Sequence, residues 1–217
     1  MKKIVLAMLF AGGGLWAVDL PEPVIWFSMD SVTNGVLRDM SGNGHDATLG
    51  AGLSLAASRV KGKALVSDGT RNTYGTFSAP ALGSRTATFW LYRNEKDNDD
   101  SITSAENKFP YVFNNVSGLQ VMFEGTQDKM RIGVGDCISW APMAARKRWA
   151  HYAVVVEDTG EPSPTTGFML YNLRVYRDGM EVLSTNGLSA IQNTHVDLLR
   201  NQCQRLLMGL LYHLLQL

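Results

Sequence analysis

The stretch TATFWLY, residues Thr86–Tyr92, decides the fold class of this 217-residue chain. It is rich in β-branched and aromatic residues, which are enriched in strands, so it predicts a central strand. On both sides of it, short apolar runs alternate with clusters of Gly, Asn, Asp and Ser, a pattern typical of strands joined by turns. The sequence has no helical period between residues 24 and 184. It therefore predicts an all-β protein.

Turn and strand positions extend this prediction to an architecture. A hairpin is predicted with Asp178 and Gly179 at its tip, because a type I′ turn needs two residues that accept positive φ. A tight loop is predicted at Asp39–His45, which is rich in such residues. No crossover helices are available for a parallel sheet, so we expect a two-sheet antiparallel jelly-roll sandwich. The other predicted strands are Val24–Phe27, a meander of Tyr111–Phe113, Leu119–Phe123 and Lys129–Val134, and then Trp149–Val156 and Phe168–Tyr176.

The composition excludes several classes of function. The chain carries 20 Lys and Arg against 20 Asp and Glu, so its net charge is zero and it offers no strongly basic surface to a phosphate backbone. Nucleic acid is therefore not an expected partner. The two cysteines, Cys137 and Cys203, are too few for a four-ligand zinc site and do not form a CxxC pair.

The N-terminal residues 1–17 are predicted to be a secretory signal peptide. Two lysines precede an apolar run, Ile4–Trp16, that is too short to cross a membrane, because a spanning helix needs about 20 apolar residues. We therefore expect a secreted, periplasmic or cell-surface protein with no membrane span in the mature chain. Export would permit a disulfide between Cys137 and Cys203, and two buried thiols are the alternative.

Several motifs follow one another along residues 18–200. They are the aromatic strand ending in Asp30, the loop Asp39–His45, Gly62–Leu65 before Asp68–Gly69, Thr88–Leu91, Trp149–Ala153 and Val175–Gly179. In this order they resemble the LamG-like, concanavalin A-like lectin and glucanase jelly rolls of secreted and surface proteins. The resemblance implies architecture before function, because one fold hosts many functions.

The C-terminal residues 201–217 depart from the family pattern. Leu206–Gly209 looks like the Leu-Leu-x-Gly strand of the family, but Leu210–Leu217 does not look like its closing strand, which carries paired acidic residues. We therefore expect a truncated or frame-shifted family member, in which the Leu-rich tail forms a makeshift helix. Loss of a terminal strand would leave Val24–Phe27 with an unpaired edge.

Candidate catalytic groups do not support an enzyme. The glucanases of this family carry two Glu and an intervening Asp on one strand, as nucleophile and general acid. The acidic stretch Glu95–Asp100 lacks the second Glu and is predicted to be a solvated loop. Glu157–Glu161 is also predicted to be a loop, because it runs into Pro162. His151 shares a strand face with Trp149, so it is interpreted as a packed, hydrogen-bonded histidine.

A structural calcium site is one of two interpretations of the Asp39–His45 loop. Asp30, Asp39 and Asn43 supply hard oxygen donors on a strand end and a glycine-rich loop, the ligand type that Ca2+ prefers. The family resemblance points the same way, since many relatives carry calcium near this loop. The alternative is an Asx-type turn, in which these side chains bond their own backbone.

Sugar binding would need exposed aromatic residues with amide and carboxylate groups beside them. Tyr111 and Trp140 are the predicted ligand-binding residues, whereas Trp26, Trp90 and Trp149 lie in strands and are expected in the core. The predicted function is a non-catalytic extracytoplasmic module that binds carbohydrate or a cell-surface protein. The alternatives are a remnant or fragment of a glycoside hydrolase of the same fold, and a defunct structural fragment.

Overall fold

Alternating buried and exposed residues build the strands of the computed structural model, as the strand Arg85–Arg93 illustrates. In this strand Ala87, Phe89 and Leu91 are buried, whereas the residues between them are partly exposed. Successive side chains of a strand point to opposite faces, so one face enters the core and the other faces outward. The structure describes residues 21–58, 62–67, 74–80, 83–93, 111–116, 118–124, 128–135, 137–189, 195–198 and 205–213.

The first sheet is formed by eight strands within these residues. They are β1 (Pro23–Phe27), β5 (Leu53–Ala57), β6 (Lys63–Ser67), β8 (Arg85–Arg93), β13 (Trp149–Pro162), β14 (Met169–Arg177), β15 (Met180–Ser189) and β17 (Arg205–His213). Their order across the sheet is β15-β14-β13-β8-β17-β6-β5, and β1 also pairs with β17. The predicted central strand, β8, therefore lies between β13 and β17.

The second sheet is formed by nine strands within the described residues. They are β2 (Val32–Thr33), β3 (Val36–Leu37), β4 (Ala47–Leu49), β7 (Gly75–Ser78), β9 (Tyr111–Val116), β10 (Leu119–Glu124), β11 (Lys129–Val134), β12 (Cys137–Pro142) and β16 (His195–Leu198). Their order is β12-β11-β10-β9-β16-β7-β4-β3-β2. β9, β10 and β11 are antiparallel neighbours, so the predicted meander is confirmed.

The two sheets pack face to face through aromatic contacts. Phe89 of the first sheet meets Phe113 of the second edge to face, with ring centroids 5.8 Å apart. Phe27 and Phe77 form the same kind of contact across the sheets at 5.2 Å. These rings belong to one continuous buried cluster with residues from both sheets. The prediction of an all-β, two-sheet antiparallel jelly-roll sandwich is therefore confirmed.

The predicted turns have the backbone geometry that their residues require. Asp178 and Gly179 both have positive φ, 51° and 83°, which is the requirement of a type I′ turn. In the Asp39–His45 loop, Gly42 and Gly44 have φ of 88° and 79°. A side chain at such values is strained, so these positions explain why the turns contain glycine.

The C-terminal segment Arg205–His213 corrects two expectations. It forms β17, so Leu206–Gly209 is the strand that the resemblance implies, and the expected helix is wrong for the part of the tail that reaches His213. β17 pairs with β8, β6 and β1, and Trp26 lies opposite Leu211, so the expected unpaired edge of Val24–Phe27 is also wrong. The reason is that periodicity alone cannot assign a short apolar run to helix or strand. Pairing with three strands satisfies its backbone hydrogen bonds instead.

Some predictions concern residues outside the described part of the chain and stay predictions. These are the signal peptide at 1–17, the acidic stretch Glu95–Asp100 and the pairing of Cys137 with Cys203. The division of the chain at residues 18, 200 and 201 is likewise a prediction. Of the two cysteines, Cys137 is described: it is partly buried, and its Sγ lies 3.5 Å from the carbonyl oxygen of Ser189.

Candidate binding surface

The Asp39–His45 loop is organised around the carboxylate of Asp39. Its Oδ1 accepts hydrogen bonds from the backbone N–H groups of Trp26 and Ser41, both at 2.9 Å. Its Oδ2 accepts from the Ser41 hydroxyl at 2.7 Å and from the backbone N–H of His45 at 3.0 Å. Burial alone would raise the pKa of Asp39, but these hydrogen bonds outweigh burial and hold the pKa below its usual value. Asp39 is therefore a buried, ionised anchor for the loop.

The same loop also binds the opening strand β1. The backbone N–H of Met40 donates to the carbonyl of Trp26 at 2.7 Å. The carbonyl of Val24 accepts from the Ser41 hydroxyl at 3.0 Å and from Nδ2 of Asn43 at 2.9 Å. Backbone groups of β1 thus find partners in the loop as well as in β17, which protects this strand from pairing with another chain.

Two of the three predicted calcium ligands, Asp39 and Asn43, lie in the same loop. The third, Asp30, follows β1 and is exposed. No group of three or more His, Cys, Asp or Glu residues in this part of the chain is arranged to hold a metal ion. The Asp39 carboxylate already faces four donors, so it fits a hydrogen-bonded turn better than a cation. Calcium binding stays a prediction.

The two predicted ligand-binding aromatics lie in one row of the second sheet. Along this row Tyr111 is opposite Met122, Met122 is opposite Arg131, and Arg131 is opposite Trp140. Trp140 is 39% exposed, near Ile138 on the edge strand β12. The Arg131 guanidinium donates to the Met122 sulfur at 3.1 Å. The Tyr111 side chain lies outside the described part of the structure, so only Trp140 has an observed surface position.

The tryptophans that were expected in the core lie on the outer surface of the first sheet. Trp26 is 41% exposed, Trp90 is 36% exposed and Trp149 is half-buried. The expectation is wrong because strands such as β8 have two apolar faces. The face that carries Phe89 packs against the second sheet, so the face that carries Trp90 points outward.

Four aromatic side chains, Trp90, Tyr92, Trp149 and His151, form what we call the aromatic face. Trp90 lies opposite His151, with ring centroids 5.3 Å apart and planes inclined by 54°. Tyr92 lies opposite Trp149, with centroids 5.5 Å apart and planes inclined by 52°. Trp90 and Tyr92 are two residues apart on β8, so the two pairs are neighbours along the strands, about 7 Å apart.

A fixed polar group borders the aromatic face at the tip of the β14–β15 hairpin. Asp178 Oδ1 accepts from the backbone N–H of His151 at 2.9 Å, and the backbone N–H of Asp178 donates to the His151 carbonyl at the same distance. Asp178 Oδ2 accepts from the Arg148 guanidinium at 2.6 Å. A carboxylate and a guanidinium are thus held beside the rings, where they can bond a bound molecule.

His151 contributes a neutral ring to this surface. Burial lowers its pKa below the usual histidine value, and the nearby charge of Asp178 raises it only in part. The imidazole is therefore uncharged at neutral pH. His151 packs against Trp90, in keeping with the interpretation as a packed histidine, but it does so on the outer face of the sheet.

The acidic residues at the end of β13 make structural contacts. The strand continues to Pro162, so the expectation of a loop at Glu157–Glu161 is wrong. Glu157 forms an ion pair with Arg174 at 3.6 Å. Asp158 accepts the backbone N–H of Gly160 at 2.9 Å in an Asx turn. These contacts give the acidic groups roles in strand pairing and turn formation.

The sequence contains an ambiguous signal for the aromatic face. Trp149 and His151 alternate with Ala150 and Tyr152, just as Thr88, Trp90 and Tyr92 alternate with the inner residues of β8. Alternation identifies two faces of each strand but not which one is buried. Asp178, at the tip of the β14–β15 hairpin, contacts the backbone of His151 and lies beside the solvent-exposed face.

Fold and surface together define a two-sheet antiparallel β-sandwich with an exposed aromatic face. The chain is similar to a receptor-binding domain of botulinum neurotoxin type G, with a TM-score of 0.66, 12% identity and coverage of 90% of this chain and 48% of that one. The binding domain of Paraclostridial Mosquitocidal Protein 1 gives a TM-score of 0.64 at 13% identity, covering 90% and 49%. The binding domain of botulinum neurotoxin DC in complex with SialylT gives 0.61 at 10%, covering 90% and 48%.

These similarities show a shared fold, because the identities are low. The chain spans about half the length of each of these solved structures. No protein-family model matches the chain, and no curated protein matches its sequence. The function of the chain is therefore argued from its own surface.

Proposed function

We propose that this chain is a LamG-like, non-catalytic extracytoplasmic module that binds carbohydrate or a cell-surface protein. The observation that carries the proposal is the aromatic face, which places Trp90, Tyr92, Trp149 and His151 on the outside of a rigid sandwich. Indole and phenol rings offer apolar contact area together with a polar atom, and they lose little conformational entropy on binding. Such residues are favoured at recognition surfaces for that reason.

Two further observations support recognition over catalysis. The carboxylate of Asp178 and the guanidinium of Arg148 lie beside the rings and bond each other at 2.6 Å, an arrangement suited to hydroxyl groups of a ligand. Glu157 forms an ion pair with Arg174 at 3.6 Å, which gives this carboxylate a structural role in strand pairing. The solved structures with this fold are described as binding domains, which agrees with the proposal.

Export of the chain belongs to the same proposal. The lysines and apolar run in residues 1–17 support secretion, or display at the cell surface, through a signal peptide. Within the described residues, no helix is long and apolar enough to cross a membrane. Trp140, with Tyr111 in the same row, is a second proposed ligand surface on the opposite sheet.

The proposal is tested by applying the labelled full chain to an array of immobilised glycans and to intact cells before and after glycosidase treatment. We expect dose-dependent retention on a subset of glycans, or on cells. Hydrolysis of the same glycans is followed in parallel by release of reducing ends, and none is expected. A chain that folds cooperatively but is retained on neither surface would overturn the binding function. Release of reducing ends would favour the glycoside hydrolase alternative.

A further inference from the structure

The described charges around the aromatic face balance, because two ion pairs lie there and Lys147, before Arg148, is offset by Glu181, opposite Tyr176. Arg148 and Asp178 are joined at 2.6 Å at one end of it, and Arg174 and Glu157 are joined at 3.6 Å farther along β13 and β14. The outward positions of β8 carry Thr, Trp and Tyr, so this strand adds no charge. The described part of this face therefore has no surplus of positive charge with which to attract an acidic sugar.

The geometry of the two ring pairs indicates an extended ligand. Each pair covers the junction between β8 and β13, and the pairs succeed each other along the strands at a spacing of about 7 Å. Beyond them, Ala153 of β13 lies between Thr88 of β8 and Tyr176 of β14, so hydroxyl-bearing residues continue the row. One ring pair would contact one sugar unit, and two adjacent pairs would contact two.

We propose that the aromatic face binds a neutral oligosaccharide laid along β8 and β13, with adjacent sugar units stacked on the Trp90–His151 and Tyr92–Trp149 pairs. This inference rests on the proposed function and makes it specific. The apolar faces of the sugar rings contact the aromatic rings. At the Trp90–His151 end, the fixed carboxylate of Asp178 accepts hydrogen bonds from sugar hydroxyls and Arg148 donates them.

The test is native affinity electrophoresis of the full chain through gels that contain single soluble polysaccharides. The neutral probes are hydroxyethylcellulose, xylan, galactomannan and laminarin, and the acidic probes are polygalacturonate and polysialic acid. We expect retardation by at least one neutral polysaccharide and none by the acidic ones. For the neutral probe that binds, we expect little change in affinity between about 50 mM and 500 mM NaCl, because salt screens charge–charge attraction.

Matched variants locate the site. Trp90→Ala and Trp149→Ala are each expected to weaken binding of that probe roughly tenfold, the loss that follows from one aromatic contact. Trp90→Phe keeps a ring and should recover part of the affinity. Phe168→Ala removes an exposed aromatic ring just before β14, far from the ring pairs, and should leave affinity unchanged. Trp140→Ala tests the second proposed ligand surface on the other sheet. Circular dichroism of each variant confirms that the sandwich is folded.

The outcomes separate this inference from the proposed function. Retardation by acidic polysaccharides alone, or loss of binding in Trp140→Ala but not in Trp90→Ala, would overturn the neutral ligand at the aromatic face and leave a binding module in place. Binding to cells that survives glycosidase treatment, with no retardation in any gel, would overturn the inference in favour of a protein ligand. Absence of both kinds of binding would overturn the inference and the proposed function together.

Discussion

Phe89 and Trp90 are neighbours in β8, yet their side chains belong to different parts of the molecule. Phe89 and its cross-strand partner Tyr152 are buried and stacked, with centroids 5.6 Å apart and planes inclined by 20°. Trp90 and its partner His151 are closer, at 5.3 Å, but Trp90 is 36% exposed. An aromatic cross-strand pair therefore marks the core only where a second sheet covers it. We expect the inner pair to determine stability and the outer pair to determine binding.

The largest effect is expected from Phe89→Ala. Its ring contacts Phe113 of the second sheet and Tyr152 of the first, so its removal leaves a cavity between the sheets. The free energy of unfolding should fall by about 3–5 kcal/mol, as for other large buried aromatics. Urea unfolding, followed by tryptophan fluorescence, measures the change. A loss below about 1 kcal/mol would contradict the placement of this ring at the centre of the core.

The second effect is expected at Asp39, whose carboxylate accepts a hydrogen bond from the backbone N–H of the outer residue Trp26. Asp39→Asn replaces a carboxylate that accepts four hydrogen bonds, two of them from Trp26 and Ser41 N–H groups, by an amide with one accepting oxygen. We expect the free energy of unfolding to fall by about 2 kcal/mol. Asp30→Asn, at an exposed residue of the same predicted calcium set, is the matched control and should change stability by less than about 0.5 kcal/mol.

This Asp39 effect should depend on pH in a defined direction. The folded-state pKa of Asp39 is held below its usual value, so its contribution is complete above about pH 5 and is lost as the pH falls through the folded-state pKa. The stability gap between the wild-type protein and Asp39→Asn should therefore narrow in acid. Urea unfolding at several pH values from about 7 to 3 measures the gap. A gap that is the same at all pH values would contradict an ionised anchor.

Calcium offers a direct test of the other interpretation of this loop. If Asp39 serves as a hydrogen-bonded anchor, millimolar calcium should leave the melting temperature of the full chain unchanged. In that case calcium has no site on the folded protein, so it cannot stabilise the folded state by binding. Differential scanning calorimetry with calcium and with a chelator measures the difference. A rise in melting temperature that Asp30→Asn abolishes would favour the calcium site formed with Asp30 and Asn43.

The strands were predictable because their sequence signals are local. β8, the β9–β11 meander and the Asp178–Gly179 turn follow from residue type, alternation and turn chemistry. The second half of β17 did not, because an apolar run such as Leu210–His213 is compatible with a helix as well as a strand. Pairing with strands that are distant in the chain decides between helix and strand. A local sequence pattern contains no information about such long-range pairing.

The candidate surface was less predictable than the strands for the same reason. Trp90 and Trp149 have the neighbours of core residues in sequence, and only the position of the second sheet puts them outside. The Asp39 loop shows the reverse case. Its oxygen donors are visible in the sequence, but their partners, among them the N–H of Trp26 and the carbonyl of Val24, lie in another segment. Residue types suggested the chemistry of each site, and tertiary contacts decided its role.

A smaller effect is expected at the one polar atom of the inner pair. The Tyr152 hydroxyl accepts the backbone N–H of Ala144 at 2.8 Å, and burial raises the pKa of this hydroxyl despite that bond and the nearby arginines. Tyr152→Phe keeps the stacked ring but leaves the Ala144 N–H without its acceptor, which should cost about 1–2 kcal/mol. Tyr92→Phe makes the same change on the outer face and should cost less than about 0.5 kcal/mol. Equal losses in urea unfolding would contradict the distinction between the faces.

Trp90→Ala is expected to destabilise the protein less than Phe89→Ala, and it tests the comparison most directly. The residue lies next to Phe89 in the chain and is larger, so a contribution set by residue type alone would make it the more damaging substitution. The Trp90 side chain is partly solvated already and its removal opens no cavity between the sheets, so we expect a loss of about 1–2 kcal/mol in urea unfolding, clearly below that of Phe89→Ala. A loss as large as that of Phe89→Ala would mean that Trp90 is packed like a core residue. A small loss of stability with a clear loss of ligand would assign stability to one face of β8 and recognition to the other.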